Sequence, residues 1–189
     1  MPPFYISSLR DKIEVLEDIG IDKVFTIDFT MEFAQLTNEE FILDFIRDRL
    51  NASILVCGHD YTYGKFAKGT VKELREMEDR GEIQVFVPNV VTFEGDAASS
   101  TRIRSYISNG DFEKVNELLS QPYKIRGKVV HGFKRGSAIL GYPTANLDLT
   151  FEYILPADGL YLTYIIVDGK KYQSLTSVGT NPTFTDSKE

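Results

Sequence analysis

SILVCG at residues 53–58 and EIQVFV at residues 82–87 are short apolar runs of the kind that form buried strands. Between them, Thr70 and Glu73 have the spacing of a capping box. In a capping box, a hydroxyl and an acid three residues later satisfy exposed backbone N–H groups at a helix start. Strand, helix and strand in this order are typical of a parallel pair joined by a crossover helix. The sequence therefore predicts an α/β arrangement around these two runs.

The alternation of helix and strand extends upstream. SLRD (8–11) is a second capping box, and it predicts a helix that ends near Gly20. KVFTIDF (23–29) is predicted to be a strand, and TNEE (37–40) is a third capping box that opens another helix. Repeated alternation of this kind favours a parallel sheet covered by helices.

The pattern changes after Pro122. KIRGKVVHG (124–132) and GLYLTYIIVDGKKYQSLTSVG (159–179) are rich in β-branched and aromatic residues, which favour strands. The dipeptide at 168–169, Asp-Gly, is a strong signal for a tight hairpin turn. We therefore expect a boundary near residues 121–123, between an α/β domain (1–121) and the start of an antiparallel β domain (122–189).

The composition excludes several classes of protein. The chain has 189 residues, of which 42% are hydrophobic and 26% charged, as in ordinary soluble globular proteins. Its net charge of −7 disfavours binding to nucleic acid or to an anionic membrane, because both need a positive surface. One cysteine, Cys57, excludes a disulfide framework and a multi-cysteine zinc site. No membrane-spanning run or signal peptide is evident, so we expect a cytoplasmic protein.

The first segment that could carry chemistry is CGHDYTYGKFAKGT (57–70). It leaves the carboxyl end of a predicted parallel strand, where ligands bind in open α/β sheets. Glycines would let the backbone approach a ligand, and tyrosines could stack on a planar ring. The candidate residues are Gly58, Asp60, Tyr61, Tyr63 and Gly64. The alternative is a long surface loop, and a catalytic pair of His59 with Asp60 is disfavoured because adjacent side chains do not face each other.

The second segment is SSTRIR (99–104), where hydroxyls at a helix start precede two arginines. Backbone N–H groups, the helix dipole and a guanidinium would together suit a phosphate. The candidate phosphate-binding residues are Ser99, Ser100, Thr101 and Arg104. The alternative is an ordinary helix cap followed by two solvated arginines.

The third segment is HGFKRGSAILGYPTAN (131–146). A glycine-rich loop can cradle phosphate with its backbone N–H groups, and the candidates here are Gly132, Gly136 and Gly141. Oxygen ligands such as those of Thr144 and Asn146 suit Mg²⁺. The order of residues is not that of a Walker A loop. The alternative is a glycine-rich β-turn with a structural Pro-Thr step.

Six motifs stand in one order along the chain: GHDYTYG, SSTRIR, QPYKIRG, HGFKRG, GYPTAN and GTNPTF. In this order they resemble the bifunctional prokaryotic FAD synthetase family, which joins riboflavin kinase to FMN adenylyltransferase. Tyr61, Tyr63 and Tyr142 stand where the family more often has phenylalanine, which keeps an aromatic face. The resemblance covers most of the chain.

The resemblance implies an α/β nucleotidyltransferase-like domain with a Rossmann-like parallel sheet, followed by the first part of an antiparallel β-barrel riboflavin kinase domain. It implies phosphorylation of riboflavin to FMN by ATP, and adenylylation of FMN to FAD with release of pyrophosphate. Small molecules (ATP, riboflavin and FMN) and Mg²⁺ would be the partners. The segment 99–104 matches the family's phosphate-binding helix start, and residues 58–64 match its flavin and nucleotide loop. Thr144 and Asn146 match its ligands for Mg²⁺–ATP, beside the glycine loop.

The family's H-x-G-H motif and its kinase glutamate match no residue here, so no catalytic residue is assigned. We therefore expect an internal fragment of a bifunctional enzyme, incomplete at both ends. An unfinished sheet and barrel would leave unpaired edges, which predicts self-association. Two alternatives stay open: a non-catalytic flavin- or nucleotide-binding protein, and a nucleotidyltransferase for another substrate. GYPTAN and GTNPTF disfavour the latter, because they belong to the kinase pattern.

Overall fold

The computed structural model describes residues 4–130 and 145–179. Its contacts divide the chain into unit 1, Met1–Asp22 with Ser99–Glu189, and unit 2, Lys23–Ala98. In chain order the elements are α1 (Leu9–Asp18), a 3₁₀ turn (Phe33–Gln35), a π-helix (Glu40–Arg49), β1 (Ile54–Val56), β2 (Thr62–Tyr63), a second 3₁₀ turn (Lys65–Ala67), β3 (Gly69–Thr70), α2 (Val71–Asp79), β4 (Gln84–Phe86), β5 (Thr92–Phe93), β6 (Asp96–Ala97), α3 (Ser100–Asn109), α4 (Phe112–Leu119), β7 (Gly127–Val130), β8 (Asn146–Leu149), β9 (Gly159–Val167) and β10 (Lys170–Val178). The domain boundary expected near residues 121–123 stays a prediction.

Unit 2 is built on the strand–helix–strand unit that the two apolar runs predict. β1 and β4 pair in parallel, with Leu55 opposite Val85, and α2 connects them along the chain. The α2 helix begins at the predicted capping box, where the Thr70 N–H donates to the Glu73 carboxylate (3.0 Å). The buried core is made by Ile42, Tyr63, Leu74, Met77, Ile83 and Val85. The parallel pairing is thus confirmed, while the larger Rossmann-like sheet stays a prediction.

The strand predicted at residues 23–29 is wrong. This segment contains no strand and pairs with no other described residues, and Phe25 is 60% exposed. The alternating pattern gives these residues a preference for extended backbone, but a strand exists only where a neighbouring backbone completes the hydrogen bonds. The nearest parallel ladder in sequence, β1 with β4, does not include them. Local pattern alone therefore over-predicted strand content here.

The helix predicted from residue 37 onward is present, with an unusual hydrogen-bonding pattern. Its capping box forms, since the Thr37 N–H donates to the Glu40 carboxylate (2.8 Å) and the Glu40 N–H donates to Thr37 Oγ1 (3.2 Å). Residues Glu40–Arg49 then follow π-type geometry, and the Leu50 N–H donates to the Phe45 carbonyl, five residues back (3.0 Å). Its buried face carries Ile42 into the unit 2 core.

The described residues of unit 1 combine the helices α1, α3 and α4 with antiparallel strand pairs. α1 begins at the capping box of Ser8 and Asp11, as predicted. β7 pairs with β8, and β9 pairs with β10 across the predicted turn, where Asp168 and Gly169 both have positive φ (48° and 74°). Two consecutive left-handed residues are the requirement of a type I′ turn. The antiparallel character of residues 122–179 is confirmed for these pairs, and the barrel stays a prediction.

Candidate functional site

The loop after β1 starts at the carboxyl end of the parallel pair of β1 and β4. The Cys57 N–H donates to the Phe86 carbonyl (3.1 Å), so pairing continues one residue beyond the strands, and the chain then turns with the Tyr61 N–H donating to the Gly58 carbonyl (3.2 Å). Gly58 and Asp60 lie exposed on this turn. The structure therefore places these two predicted ligand-contacting residues on the surface beside the strand end.

The two tyrosines of this loop lie in different environments. Their rings stack, with centroids 5.6 Å apart and an interplanar angle of 17°. Tyr61 is half-buried, whereas Tyr63 is only 4% exposed and packs in the unit 2 core beside Phe41. In this arrangement Tyr63 supports Tyr61, and Tyr61 is the ring of the pair with accessible surface.

Two glycines let the loop close. Gly64 has φ +70° and ψ −172°, and a Cβ there would overlap the Asn38 side chain. At Gly69 a Cβ would lie 2.6 Å from the Tyr63 ring. Only glycine tolerates the backbone angles at residue 64 and the close approach at residue 69. These two glycines therefore allow β2 and β3 to pair.

Burial dominates the titration of this loop. It raises the pKa of the Cys57 thiol, which the nearby Arg75 only partly offsets, so this thiol is protonated at neutral pH. It also raises the pKa of Tyr61, and it raises the pKa of Tyr63 to about 12, with a smaller contribution from the Glu73 carboxylate. Cys57 packs against the core, and none of these groups is ionised for nucleophilic chemistry.

The second predicted segment forms the start of α3. Ser99 is the N-cap, and its hydroxyl accepts from the Arg102 N–H (3.4 Å). Ser99, Ser100 and Thr101 are exposed. The first N–H groups of an α-helix have no acceptor inside the helix, and the dipole makes this end positive. An anion would therefore be stabilised here.

The two arginines of this helix point to different partners. Arg104 donates from Nε to the Phe4 carbonyl (3.1 Å). Arg102 donates from Nη2 to the Tyr106 hydroxyl (3.2 Å), and its guanidinium lies 5.8 Å from the centre of that ring. The hydrogen bond to Phe4 joins Arg104, on the first turns of α3, to the N-terminal segment.

The third predicted segment is described only in part. Gly132, Gly136, Gly141 and Thr144 lie outside the described residues. Asn146 opens β8, pairs in register with Val130 of β7, and is exposed. An asparagine amide oxygen is the type of neutral oxygen ligand that Mg²⁺ takes alongside water and phosphate oxygens. Within residues 4–130 and 145–179, no cluster of three or more His, Cys, Asp or Glu side chains could hold a metal.

One charged cluster was not predicted from the sequence. Asp11 is buried on α1 and accepts from Arg126 Nε (2.6 Å) and from the Tyr153 hydroxyl (2.8 Å). Arg126 also pairs with Glu14 on the next turn of α1. The only signal in the sequence was the capping box of Ser8 and Asp11, which accounts for the helix start and not for partners more than 100 residues away.

Hydrogen bonds control the ionisation of Asp11. Burial is the largest single influence and opposes the charged form. Bonds from Ser8, Arg126 and Tyr153 together outweigh it and lower the pKa of Asp11 to about 2. The Asp11 carboxylate is therefore ionised at any physiological pH.

The sequence of residues 1–102 matches the family model described as FAD synthetase. The chain belongs to the FAD synthetase family. Residues 119–189 match a second family model, described as riboflavin kinase. We call residues 1–102 the FAD synthetase segment and residues 119–189 the riboflavin kinase segment. The resemblance carried by the six motifs is thereby confirmed.

Curated relatives of this FAD synthetase family member carry one name, bifunctional riboflavin kinase/FMN adenylyltransferase. The protein of Bacillus subtilis (strain 168) is 39% identical over 183 residues, which are 97% of this chain and 57% of the relative. The protein of Listeria monocytogenes is 36% identical over 96% of this chain and 57% of the relative. The protein of Escherichia coli (strain K12) is 30% identical over 96% of this chain. The chain thus spans less than three fifths of the length of each of these three relatives.

A solved structure has the same fold. It is described as a macrolide-efflux protein from Streptococcus pneumoniae, and it superposes on 97% of this chain and 60% of its own with a TM-score of 0.84 at 36% identity. That description names a different activity from the name shared by the curated relatives. In the part of this chain that the structure describes, no helix has the length and apolar character needed to cross a membrane.

Proposed function

We propose that this chain carries the two nucleotide-dependent steps of FAD biosynthesis, as part of a bifunctional riboflavin kinase/FMN adenylyltransferase. The observation that carries the proposal is that both family models match this one chain, and that a relative whose name gives both activities aligns with 97% of it. ATP would phosphorylate riboflavin to FMN in the riboflavin kinase segment. A second ATP would adenylylate FMN to FAD in the FAD synthetase segment.

In the adenylyl transfer, a phosphate oxygen of FMN attacks the α-phosphorus of ATP, and the bond to the β-phosphate breaks to release pyrophosphate. The start of α3, with Ser99, Ser100, Thr101 and the Arg104 guanidinium, would bind the phosphates at the positive end of the helix. The loop 58–64 would line the flavin and nucleotide site, with Tyr61 offering the accessible ring. Such a reaction needs charge stabilisation and alignment more than a protein nucleophile.

In the kinase step, the primary hydroxyl of the riboflavin ribityl chain attacks the γ-phosphorus of ATP, and ADP leaves. Thr144 and Asn146 would hold Mg²⁺, which neutralises and orients the ATP phosphates when bound. Gly132, Gly136 and Gly141 would let the backbone approach those phosphates. The exposed position of Asn146 at the start of β8 supports this assignment.

The organisation proposed for the protein follows the two segments. A Rossmann-like nucleotidyltransferase domain would span residues 1–121, and the first part of a β-barrel would span residues 122–189. We further propose a cytoplasmic protein that acts on small molecules, binds neither nucleic acid nor membrane, and self-associates.

A pair of substitutions tests the assignment of the two steps to the two segments. The protein to use is this chain completed with the flanking segments of the Bacillus subtilis relative, and the readout is chromatography of flavins. Asn146→Ala should lower FMN formation from riboflavin by about 10²-fold and leave conversion of FMN to FAD unchanged. Arg104→Met should lower conversion of FMN to FAD and leave FMN formation from riboflavin unchanged.

Matched controls separate these effects from misfolding. Asp148→Asn changes an exposed residue on the same strand as Asn146, and Ser108→Ala changes an exposed residue on α3 about one turn after Arg104. Both controls should keep both activities. Equal loss of both steps in Asn146→Ala, with a normal circular dichroism spectrum, would refute the assignment. A folded protein that binds flavin and ATP and forms no product would favour the non-catalytic alternative.

A further inference from the structure

Asp11 is the one buried charged side chain among the described residues, with 6% of its surface exposed. Both carboxylate oxygens are engaged. Oδ1 accepts from Arg126 Nε (2.6 Å), and Oδ2 accepts from the Tyr153 hydroxyl (2.8 Å) and from the Ser8 N–H (2.9 Å). A buried carboxylate with this many donors is stable, but it becomes costly if a donor is removed.

The cluster extends along α1 through a second acid. Glu14, one turn after Asp11, pairs with Arg126 and lies 3.7 Å from Lys124 Nζ. One guanidinium therefore bridges two acids on the same face of α1. Because the bridge uses both Nε and Nη2, it fixes the orientation of the arginine as well as its position.

The backbone just before α1 joins the same region. The Tyr5 N–H donates to the Glu152 carbonyl, and the Ile154 N–H donates to the Tyr5 carbonyl, both at 2.9 Å. The Tyr5 ring lies 5.2 Å from the Phe151 ring. Residues 4–18 are thus attached to residues 124–126 and 151–154 by side chains and backbone together.

These contacts cross the division between the two families. Residues 4–18 lie in the FAD synthetase segment, whereas Arg126 and Tyr153 lie in the riboflavin kinase segment. Both sets belong to unit 1 of the structure. The boundary between the family segments is therefore not the boundary between compact units.

We propose that α1, with residues 4–8 before it, is a docking element for the riboflavin kinase segment, and that Asp11, Arg126 and Tyr153 fasten the two into one cooperative folding unit. In this proposal α1 unfolds and refolds locally in one step with β7 and with residues 151–154. This inference does not depend on which reactions the protein catalyses.

Hydrogen exchange of the whole chain, followed by mass spectrometry, tests the proposal. Tyr153→Phe removes one hydroxyl, and Arg126→Met removes the bridging guanidinium. Loss of a hydrogen bond to a charged group costs enough to raise the opening equilibrium about tenfold or more. We therefore expect amide exchange in residues 9–18 to become about tenfold faster in either variant, although neither substitution lies in α1.

Lys12→Gln is the matched control, because Lys12 is exposed on the same helix next to Asp11. It should leave exchange in residues 123–130 and 145–154 unchanged. If Arg126→Met does not fold, Tyr153→Phe alone carries the test. Unchanged exchange in residues 9–18 of Tyr153→Phe, with faster exchange confined to residues 145–179, would overturn the proposal. Separate thermal transitions for residues 9–18 and 145–179 in the unsubstituted chain would overturn it as well.

Discussion

The Tyr63 ring packs among Ile42, Leu74 and Met77, where an aromatic side chain suits the core. Its hydroxyl is buried with them and has no hydrogen-bond partner among the described residues. A buried hydroxyl that has given up water without gaining a partner costs about 1–3 kcal/mol.

Tyr63→Phe should therefore leave the free energy of unfolding unchanged or raise it by about 1 kcal/mol. Urea denaturation measures this. The matched control is Tyr123→Phe, which removes a hydroxyl that donates to the Ile154 carbonyl (2.7 Å) and should lower the free energy of unfolding by about 1 kcal/mol. A loss of more than 1 kcal/mol in Tyr63→Phe would show that its hydroxyl has a partner.

Asp11 should make the free energy of unfolding depend on pH in the acid range. Its pKa in the folded chain, about 2, lies below the ordinary 3.8, so its contribution is present above about pH 4–5 and is lost as the pH falls towards 2. The difference corresponds to about 2 kcal/mol. The charged and titratable groups around it are Arg126, Lys124, Tyr153 and Glu14. Arg126 also lowers the pKa of Glu14, so the ionised Glu14 side chain likewise adds stability that is lost as the pH falls.

The measurement is the free energy of unfolding between pH 6 and pH 2 for the unsubstituted chain and for Asp11→Asn. Subtracting the two curves isolates Asp11 from Glu14 and the other carboxylates. We expect the unsubstituted chain to lose about 2 kcal/mol more than the variant over this range. Parallel curves would contradict the lowered pKa.

At the scale of elements, the close-packed turn at Gly64 fixes the loop that follows β1. Its backbone angles belong to a region that is open almost only to glycine, and the Asn38 side chain occupies the space where a Cβ would lie. Asn38 in turn donates to the Glu73 carboxylate (3.1 Å), so the start of α2 is tied to the same point.

Gly64→Ala should destabilise the chain by about 1–3 kcal/mol more than Gly81→Ala. Gly81 also has positive φ (72°), but nothing lies within 4 Å of a Cβ there, so it controls for backbone strain without contact. Thermal unfolding of the two variants gives the comparison. Equal destabilisation would mean that Asn38 moves aside without cost.

Elements with local signals were predictable, and elements with distant partners were not. The capping boxes of α1 and α2 and the Asp168-Gly169 hairpin are each specified by residues within four positions of one another, and all three formed. The segment 23–29 has equally strong local propensity, yet its strand prediction was wrong, because pairing depends on a backbone elsewhere in the chain.

At the scale of the whole molecule, the family was predictable, whereas the long-range contacts that join α1 to residues 124–154 were not. The boundary expected near residues 121–123 stays a prediction, and α1 belongs to the same compact unit as residues 99–179. The cluster at Asp11 makes two of these contacts, since its partner Arg126 lies 115 residues away and its partner Tyr153 lies 142 residues away. Neither contact leaves a local pattern.

Self-association remains a prediction for the whole chain. The β9–β10 pair presents large apolar side chains to solvent, including Leu162, which is 92% exposed. Exposed apolar surface of this kind favours association in water. Light scattering during size-exclusion chromatography should show a mass that rises with concentration, and Leu162→Lys should reduce that rise. A constant monomer mass at all concentrations would contradict the prediction.

The most direct test of the proposed function is a time course of flavins formed from riboflavin, ATP and Mg²⁺ by this chain completed with the flanking segments of the Bacillus subtilis relative. We predict that FMN appears first and FAD follows, with one pyrophosphate released for each FAD. A completed protein that unfolds cooperatively, and so is folded, yet forms neither FMN nor FAD would contradict the assignment of this chain to FAD biosynthesis.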